Sequence, residues 1–338
     1  MANQDDKHCN CFNRRDLMIG AFATMASSVS ATALAQTRSF IDVHHHFTPP
    51  GQRPGPTDWS PQIAIEEMDR NGVATGIGFL GPIRSENDND RARRIARDWN
   101  EFGARLCRDH GTRFGLFAAL PLPDVQGSLV EIEYAFDALR ADGLGIVTNY
   151  GDLWLGNPRF DPIWEEANRR KAVVFVHPIN APCCTPANLS YQTPPVDQPW
   201  IEWPMNTART ILSLMLSGTL RKFRDIRFIF CHGGGVMPLL VGRLSGFSAS
   251  AVTGREAFTA GIESEFRTLF FECAQAYTQT NISALTSLVP PTQIMFGTDY
   301  NRFPIGHSVK QFETLLLDAT TTRAIARDTA VKLFPRFQ

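Results

Sequence analysis

Three histidines end a short apolar run near residue 40, and their spacing is that of metal ligands. The segment Phe40–Pro50 reads FIDVHHHFTPP. If it is a β-strand, its side chains alternate between two faces, and Asp42, His44 and His46 share one face. Two imidazoles two residues apart on one face can bind a single divalent metal ion. An isolated His-x-His pattern is more often incidental, so a metal site requires further ligands elsewhere in the chain.

Those further ligands end other apolar runs. The runs AVVFVH, RFIFCH and QIMFGTD end at His177, His232 and Asp299. Imidazole and carboxylate groups suit a borderline divalent ion, and three imidazoles with one carboxylate leave a position for water or substrate. The strand ends together therefore predict a catalytic metal site.

The elements that must position these residues alternate between strand and helix. Strands are predicted at 40–44, 73–80, 114–120, 145–148, 172–177, 226–232, 268–272 and 293–297. Helices are predicted at 59–72, 88–110, 127–141, 161–170, 205–223, 281–288, 308–318 and 321–333. One more follows Gly233–Gly235 and ends at about Leu244, and a long proline-rich loop is predicted at 179–203. This alternation predicts an α/β fold, a (β/α)8 TIM barrel, whose reacting groups lie at the carboxyl ends of the strands. The alternative, an open doubly wound sheet, usually has a glycine-rich phosphate loop where this chain has histidines.

Charge and composition limit the partners. The chain of 338 residues contains 33 Lys and Arg and 34 Asp and Glu, for a formal net charge of −1. No basic stripe is visible along the sequence, so we expect neither nucleic acid nor an anionic membrane surface as a partner.

Residues 1–35 are predicted to be a twin-arginine signal peptide. Arg14 and Arg15 precede an apolar run of small residues, and Ala33-Leu34-Ala35 matches a cleavage site. The apolar run is too short and too polar after Ser27 to span a membrane. The mature protein would comprise residues 36–338 as one barrel domain. Signals of this type are typical of proteins exported already folded, so we expect a periplasmic or secreted protein.

Several longer motifs carry a resemblance to a known family. The segments DVHHHFTPP, NRRKAVVFVHP, SGTLR and VPPTQIMFG resemble the metal-dependent decarboxylase branch of the amidohydrolase superfamily. The aminocarboxymuconate-semialdehyde decarboxylases are familiar members, and the 6-methylsalicylate decarboxylase-like group is more similar still. The resemblance covers about residues 38–336.

The resemblance implies a role for each strand-end residue. It makes His232 the acid/base group beside a metal-bound water, with Asp299 able to share in proton transfer. Zinc is the expected ion and manganese the alternative. The fourth strand ends in Thr148-Asn149-Tyr150 without the lysine that bridges two metals in other members of the superfamily, so one ion is expected. The implied metal ligands are His44, His46, His177 and Asp299.

Substrate-binding residues are also implied. In similar decarboxylases an arginine at the place of Arg243 reaches into the neighbouring subunit's pocket and holds a substrate carboxylate, which implies a homodimer. From its own surroundings in the sequence, Arg243 would read as a solvated surface charge. Arg84 is a possible second contact for an anion. Trp200, with Trp203 and Tyr191, could form an aromatic wall in the long loop.

Two residues near the candidate ligands receive supporting roles, and the role of a third is left open. Asp42 could orient a ligating imidazole from outside the metal site. His45 is expected to face away from the ligands and to be structural. Glu272 ends the seventh strand, where similar proteins tend to have aspartate, so its role stays open.

These residues predict an enzyme that decarboxylates a small aromatic acid, such as a hydroxybenzoate or 6-methylsalicylate, or an unsaturated acid, without oxidation. His232 or Asp299 would deliver a proton to the carbon that bears the carboxylate. The alternative is hydrolysis of a lactone, ester or amide by the same site. A third possibility is an exported binding protein without catalysis, but an acid/base pair beside an open coordination position favours an enzyme.

Overall fold

The computed structural model describes residues 40–52, 58–83, 88–184, 197–248 and 261–338. These residues belong to one compact unit, Phe40–Gln338. The predicted signal segment 1–35 and the residues Arg84 and Tyr191 lie outside the described residues.

A single parallel sheet of eight strands organises the molecule. Within this sheet the hydrogen-bonded strands follow the order β1-β2-β3-β4-β7-β8-β9-β10. Strands β5 and β6 form a separate antiparallel ribbon. The strands are β1 (Phe40–His46), β2 (Val73–Phe79), β3 (Phe114–Ala119), β4 (Gly143–Val147), β5 (Asn149–Tyr150), β6 (Leu153–Trp154), β7 (Val173–His177), β8 (Arg227–Phe230), β9 (Phe270–Glu272) and β10 (Ile294–Met295).

Hydrogen bonds between the first and last strand regions close the sheet. The Val43 amide donates to the Phe296 carbonyl at 3.0 Å, and the Asp299 amide donates to the His44 carbonyl at 2.8 Å. His45 also forms an isolated parallel bridge with Tyr300. The predicted (β/α)8 barrel is therefore confirmed, and its closure brings the ends of β1 and β10 together.

Helices follow most strands and cover the outside of the barrel. They are α1 (Pro61–Arg70), α2 (Asn89–Asp109), α3 (Val125–Asp137), α4 (Asp161–Arg169), α5 (Gln198–Leu216), α6 (Thr219–Lys222), α7 (Met237–Ser248), α8 (Ile262–Phe266), α9 (Gln279–Leu288), α10 (Ile305–Glu313), α11 (Ala319–Arg323) and α12 (Thr329–Leu333). A π-helical turn, Ala324–Asp328, joins the last two. In the described part of the chain, no helix combines the length and apolarity needed to cross a membrane.

The predicted helix at 205–223 is wrong at both ends. α5 already begins at Gln198, inside the predicted loop, and α6 is a separate turn after Gly218. Pro199 lies in the first turn of α5, where a missing N–H breaks no helical hydrogen bond. Gly218 adopts a φ of 77°, a left-handed conformation that ends the longer helix.

Two apolar clusters fill the fold. One lies between the sheet and the helices and includes Phe40, Phe114 and Trp164. The other draws residues from seven of the eight barrel strands, among them Val43 and Phe175. Residues from so many strands meet only inside the barrel, so the second cluster is its interior core. Its members are Ile41, Val43, Ile77, Phe79, Phe117, Val147, Val173, Phe175, Ile229, Cys231, Met295, Ala330, Phe334 and Phe337.

Candidate active site and metal centre

A β-bulge in β1 decides which of its side chains enter the barrel. Between Asp42 and His45 the register advances three residues on β1 against two on β2, so one residue is extra. Val43, within the bulge, lies in the interior core. The rings of the next residue, His44, and of His46 also pack on interior residues, Phe175 and Phe79, at 5.1 and 5.6 Å between ring centroids.

The expectation that Asp42 shares a face with His44 and His46 is therefore wrong, because the bulge shifts the alternation by one residue. Asp42 instead accepts a hydrogen bond from Nδ1 of His45 at 3.0 Å. It also accepts bonds from the backbone amide and the hydroxyl of Thr298, at 3.0 and 2.6 Å. Asp42 and the fully buried His45 thus tie β1 to the segment after β10, which confirms the structural role expected for His45.

Four predicted ligands meet at the carboxyl end of the barrel. The Nε2 atoms of His44 and His46 lie 3.3 Å apart, and Oδ1 of Asp299 lies 3.4 Å and 2.9 Å from them. His177 completes a group whose four ligand atoms all lie within 4.8 Å of one another. Ligands held about 2.0–2.1 Å from one ion in a tetrahedron are about 3.3 Å apart. The donor set and its spacing therefore fit a single divalent metal ion.

Hydrogen bonds on the far side of the rings orient two of these imidazoles. Nδ1 of His44 lies 2.7 Å from Oε1 of Glu272, and Nδ1 of His177 lies 2.7 Å from the Pro178 carbonyl. Both partners are acceptors, so each ring carries its proton on Nδ1 and leaves the lone pair of Nε2 for the metal. Glu272, whose role the sequence left open, thus acts on His44 in the way that was expected of Asp42.

The electrostatics suit metal binding. Burial lowers the pKa of His177 well below its usual value, and the neighbouring His44 and His46 lower it further. Burial also lowers the pKa of His46 by more than Asp299 raises it. Burial alone would raise the pKa of Asp299, but the surrounding histidines hold it well below its usual value. His46 and His177 are therefore neutral imidazoles and Asp299 is an ionised carboxylate, the forms that ligate metals.

His232 lies on the other side of the same carboxylate. Its Nε2 is 3.6 Å from Oδ2 of Asp299, whereas Oδ1 faces the other histidines. Burial lowers the pKa of His232, but Cys231 and Asp299 more than offset this and raise the pKa well above its usual value. The pair can therefore hold a proton beside the metal group, as the assignment of His232 as an acid/base group requires.

Backbone strain occurs at both members of this pair. His232 and Asp299 have φ values of 55° and 59°, in the left-handed region that non-glycine residues seldom occupy. Such conformations cost about 1–3 kcal/mol each and persist where surrounding contacts impose them. The His232 amide donates to Oε1 of Glu272 at 2.9 Å, so the carboxylate that orients His44 also holds His232.

A second group of ligand atoms shares His44 and Glu272 with the first and adds Cys231 and His232. In this group His44 offers the Nδ1 side that is already bonded to Glu272. The buried Cys231 thiol donates to the Val176 carbonyl at 3.2 Å. The contacts of this second group therefore support the first site and do not form an independent one.

A cavity of about 330 Å³ opens beside the ligands. It has the size of a small-molecule site, and its walls combine apolar with polar side chains. It is lined by His46, Phe47, Thr48, Gln52, Phe79, Gly81, Pro82, His177, Pro178, Ile179, Pro199, Trp203, Asp299, Asn301, Arg302 and Phe303. A larger cavity of about 430 Å³ lies between α2 and α3, away from the strand ends, and contains none of the predicted site residues.

The structure does not bring all predicted substrate-binding residues to this cavity. Trp200 is 72% exposed near the start of α5 and does not line it. Trp203 lines it instead, and its Nε1 donates to Oδ1 of Asn180 at 2.6 Å. Arg243 is exposed on α7, with its guanidinium 5.0 Å from the ring centroid of Phe247, outside the cavity of its own chain.

Two residues of the site were missed or left open in the sequence. Glu272 could be found only by its position at the end of β9. Nothing in the sequence marked Arg302 as a cavity residue except its position three residues after Asp299.

The sequence and the fold match known proteins over nearly the whole barrel. The profile of the Amidohydrolase family matches residues 41–336. Decarboxylase yanB of Aspergillus niger is 34% identical over 324 residues, which cover 88% of this chain and 88% of that protein. The 6-methylsalicylic acid decarboxylase acuB of Aspergillus aculeatus is 31% identical over 336 residues, which cover 88% of this chain and 96% of that protein.

A solved structure has the same fold. It is a dihydroxybenzoic acid decarboxylase from a Polaromonas species, with bound manganese and the inhibitor 2-nitroresorcinol. The similarity has a TM-score of 0.78 at 21% identity and covers 89% of this chain and 98% of that one. The family match and the relatives above 30% identity together show that this chain belongs to the amidohydrolase family, in the branch whose named members are decarboxylases.

Proposed function

We propose that this protein is a metal-dependent carboxy-lyase that removes CO2, without oxidation, from a small aromatic acid of the hydroxybenzoate or 6-methylsalicylate type. One observation carries the proposal: the His232–Asp299 pair lies beside four convergent ligand atoms in a chain whose relatives are named decarboxylases. The cavity walls Phe79 and Trp203 offer apolar surface for a ring.

His44, His46, His177 and Asp299 would hold one divalent ion, Zn²⁺ as first choice and Mn²⁺ as the alternative. The ion supplies a Lewis-acidic anchor for the substrate's oxygen atoms. Manganese in the Polaromonas decarboxylase supports the alternative. Metal analysis of the protein as purified, followed by reconstitution of the metal-free protein with each ion, decides between them.

The chain's own residues perform the proton transfer. His232, with Nε2 3.6 Å from Asp299 Oδ2, delivers a proton to the ring carbon that bears the carboxylate. The bond from that carbon to the carboxylate then breaks, CO2 leaves, and the electron pair of the broken bond restores the aromatic ring. The net reaction consumes one proton for each CO2 released.

The test is incubation of the full-length, metal-loaded protein with salicylate, 6-methylsalicylate and 2,6-dihydroxybenzoate in D2O. We expect CO2 release and one deuterium at the carbon that lost the carboxylate. His232→Asn should abolish release while metal stays bound, whereas His110→Asn, outside the site, should leave it unchanged. Acid production from an aryl lactone, with no CO2 from any acid, would refute the proposal in favour of hydrolysis.

We also propose that Arg243 acts across a homodimer. Its exposure on α7, outside its own cavity, is what a residue that serves a neighbouring subunit would show. Arg243→Met and His177→Asn subunits should each be inactive alone. Mixing them should restore about a quarter to a half of the activity, because one site of the hybrid dimer then has both residues intact. An active Arg243→Met variant, or mixtures that stay inactive, would contradict this role.

Export by the twin-arginine route is a further proposal, supported by Arg14 and Arg15 and the apolar run after them. Fractionation of cells that produce the full chain with a C-terminal tag tests it. We expect the wild type outside the cytoplasm and the double variant Arg14→Lys, Arg15→Lys inside it. Equal distributions of the two would contradict the proposed route.

A further inference from the structure

An arginine that belongs to the same chain lines the cavity beside the metal group. Among the described lining residues, Asp299 is the one carboxylate and Arg302 the one guanidinium. The two arginines predicted for substrate binding do not fill this place in the described structure. Arg243 lies on α7 outside the cavity, and Arg84 is outside the described residues.

A tight turn connects Arg302 to the metal group. The Arg302 amide donates to the Asp299 carbonyl at 2.8 Å, and the Phe303 amide donates to the same carbonyl at 3.1 Å. Between Asp299 and Arg302 in the chain, Asn301 is buried, and its Nδ2 donates to Oγ1 of Thr48 at 3.3 Å. The backbone from which the Arg302 side chain extends is therefore held in a constant position relative to Asp299.

The guanidinium of Arg302 has no hydrogen bond or ion pair to any residue that the structure describes. Arg302 lines the same cavity as His46 and Asp299. Two arginines of the cavity between α2 and α3 differ, because Arg93 pairs with Asp124 at 2.6 Å and Arg97 with Glu131 at 3.0 Å. Arg302 thus brings to the cavity five N–H donors that bond to no described residue.

We propose that Arg302 binds the carboxylate of the substrate within the same subunit and makes this site select aromatic acids over neutral phenols and amides. The inference rests on the proposed function, because it names the group of that substrate which the chain recognises. A guanidinium fork matches the planar carboxylate and accepts it in a bidentate geometry. A carboxylate offers about four lone-pair positions, so this contact is compatible with one from Arg243 of the partner subunit.

The contact also favours release of the product. The phenolic product has lost the carboxylate, so it cannot form the charge-assisted hydrogen bonds to Arg302. The product therefore binds more weakly than the acid and leaves the cavity.

Calorimetric titration of the full-length, zinc- or manganese-loaded protein tests the assignment, with salicylate as the anionic ligand and salicylamide as its neutral counterpart. Arg302→Gln should weaken salicylate binding roughly 10- to 100-fold, the range of hydrogen bonds to charged groups. Salicylamide binding should change by less than about twofold. Arg302→Lys should bind salicylate with an affinity between those of the wild type and Arg302→Gln, because an ammonium keeps the charge without the planar fork. Arg94→Gln, an exposed arginine on α2, is the matched control and should bind both ligands as the wild type does.

Unchanged salicylate affinity in Arg302→Gln would overturn the proposal. An equal loss for both ligands would overturn it as well, since Arg302 would then support only the shape of the cavity. Binding does not require turnover, so the two proposals fail separately. Selective loss of salicylate binding without CO2 release from any acid would refute the decarboxylase and leave this contact. CO2 release with an unchanged KM in Arg302→Gln would support the decarboxylase and refute the Arg302 contact.

Discussion

Glu272 joins the four candidate metal ligands to His232. One of its oxygens, Oε1, lies 2.7 Å from Nδ1 of His44 and accepts the His232 amide at 2.9 Å. Its other oxygen accepts the Ala274 amide at 2.6 Å. Burial alone would raise the pKa of Glu272, but His44 and His232 hold it below its usual value, so the residue is an ionised carboxylate. A single side chain therefore sets both the tautomer of His44 and the position of His232.

Glu272→Gln should weaken metal binding about 10- to 100-fold, the range for a group that orients a ligating histidine. An amide cannot accept on both sides, so either His44 or the Ala274 amide loses its acceptor. Competition with a chelator measures the affinity. Glu263→Gln, on the surface helix α8, is the control, and equal metal affinities for the two variants would contradict the role of Glu272.

Gly297 packs closely against the same carboxylate. A Cβ at this position would lie 2.1 Å from Oε2 of Glu272 and 2.9 Å from Cβ of His44. Gly297→Ala should therefore lower metal affinity and destabilise the protein by about 1–3 kcal/mol through overpacking. Gly242→Ala on α7 meets nothing within 4 Å and should be neutral, or stabilising by up to about 1 kcal/mol from helix propensity. Urea denaturation measures the free energy of unfolding of both variants. Equal stabilities of the two would show that Gly297 tolerates a methyl group.

Trp203 and Trp200 offer a matched pair for the aromatic wall. Trp203 lines the cavity and its ring lies 5.6 Å from that of His177, whereas Trp200 is 72% exposed. Trp203→Leu should raise KM for an aromatic acid roughly tenfold, because it removes aromatic surface that contacts the ring. Trp200→Leu should change KM by less than about twofold. The reverse order would show that Trp200, as expected from the sequence, forms the wall.

Glu166 on α4 provides a test of pH-dependent stability remote from the site. The Arg169 guanidinium, with Arg170 beside it, lowers the pKa of Glu166 to about 2. A depressed carboxyl pKa stabilises the fold above the ordinary value near 4.5, and this contribution is lost as the pH falls towards 2. Glu166→Gln should therefore cost about 1 kcal/mol at pH 7, a difference that shrinks below pH 4.5. Unfolding free energies of both proteins from pH 7 to pH 3 check this. If the difference in unfolding free energy between the two proteins is the same at every pH, the loss of stability in Glu166→Gln comes from packing and not from charge.

Much of the candidate site follows from local pattern. His177 and Asp299 end apolar runs, and the barrel places such positions at one rim. The orientation of Asp42 did not follow, because the β1 bulge depends on pairing with β2 and reverses the alternation after Val43. The start of α5 did not follow either, since Pro199 suits a first helical turn as well as a loop.

The sequence by itself therefore indicated the eight alternating units, the rim on which the histidines lie and, through the family resemblance, the four candidate metal ligands. Apolar runs and the residues that end them can be recognised within single segments. Only the tertiary structure decided which group orients His44, which tryptophan faces the cavity and where Arg302 lies. Glu272 is 228 residues from His44 along the chain, and such a contact forms only when the barrel closes and brings strand ends together. Contacts of this kind depend on the closed barrel and not on the composition of either segment.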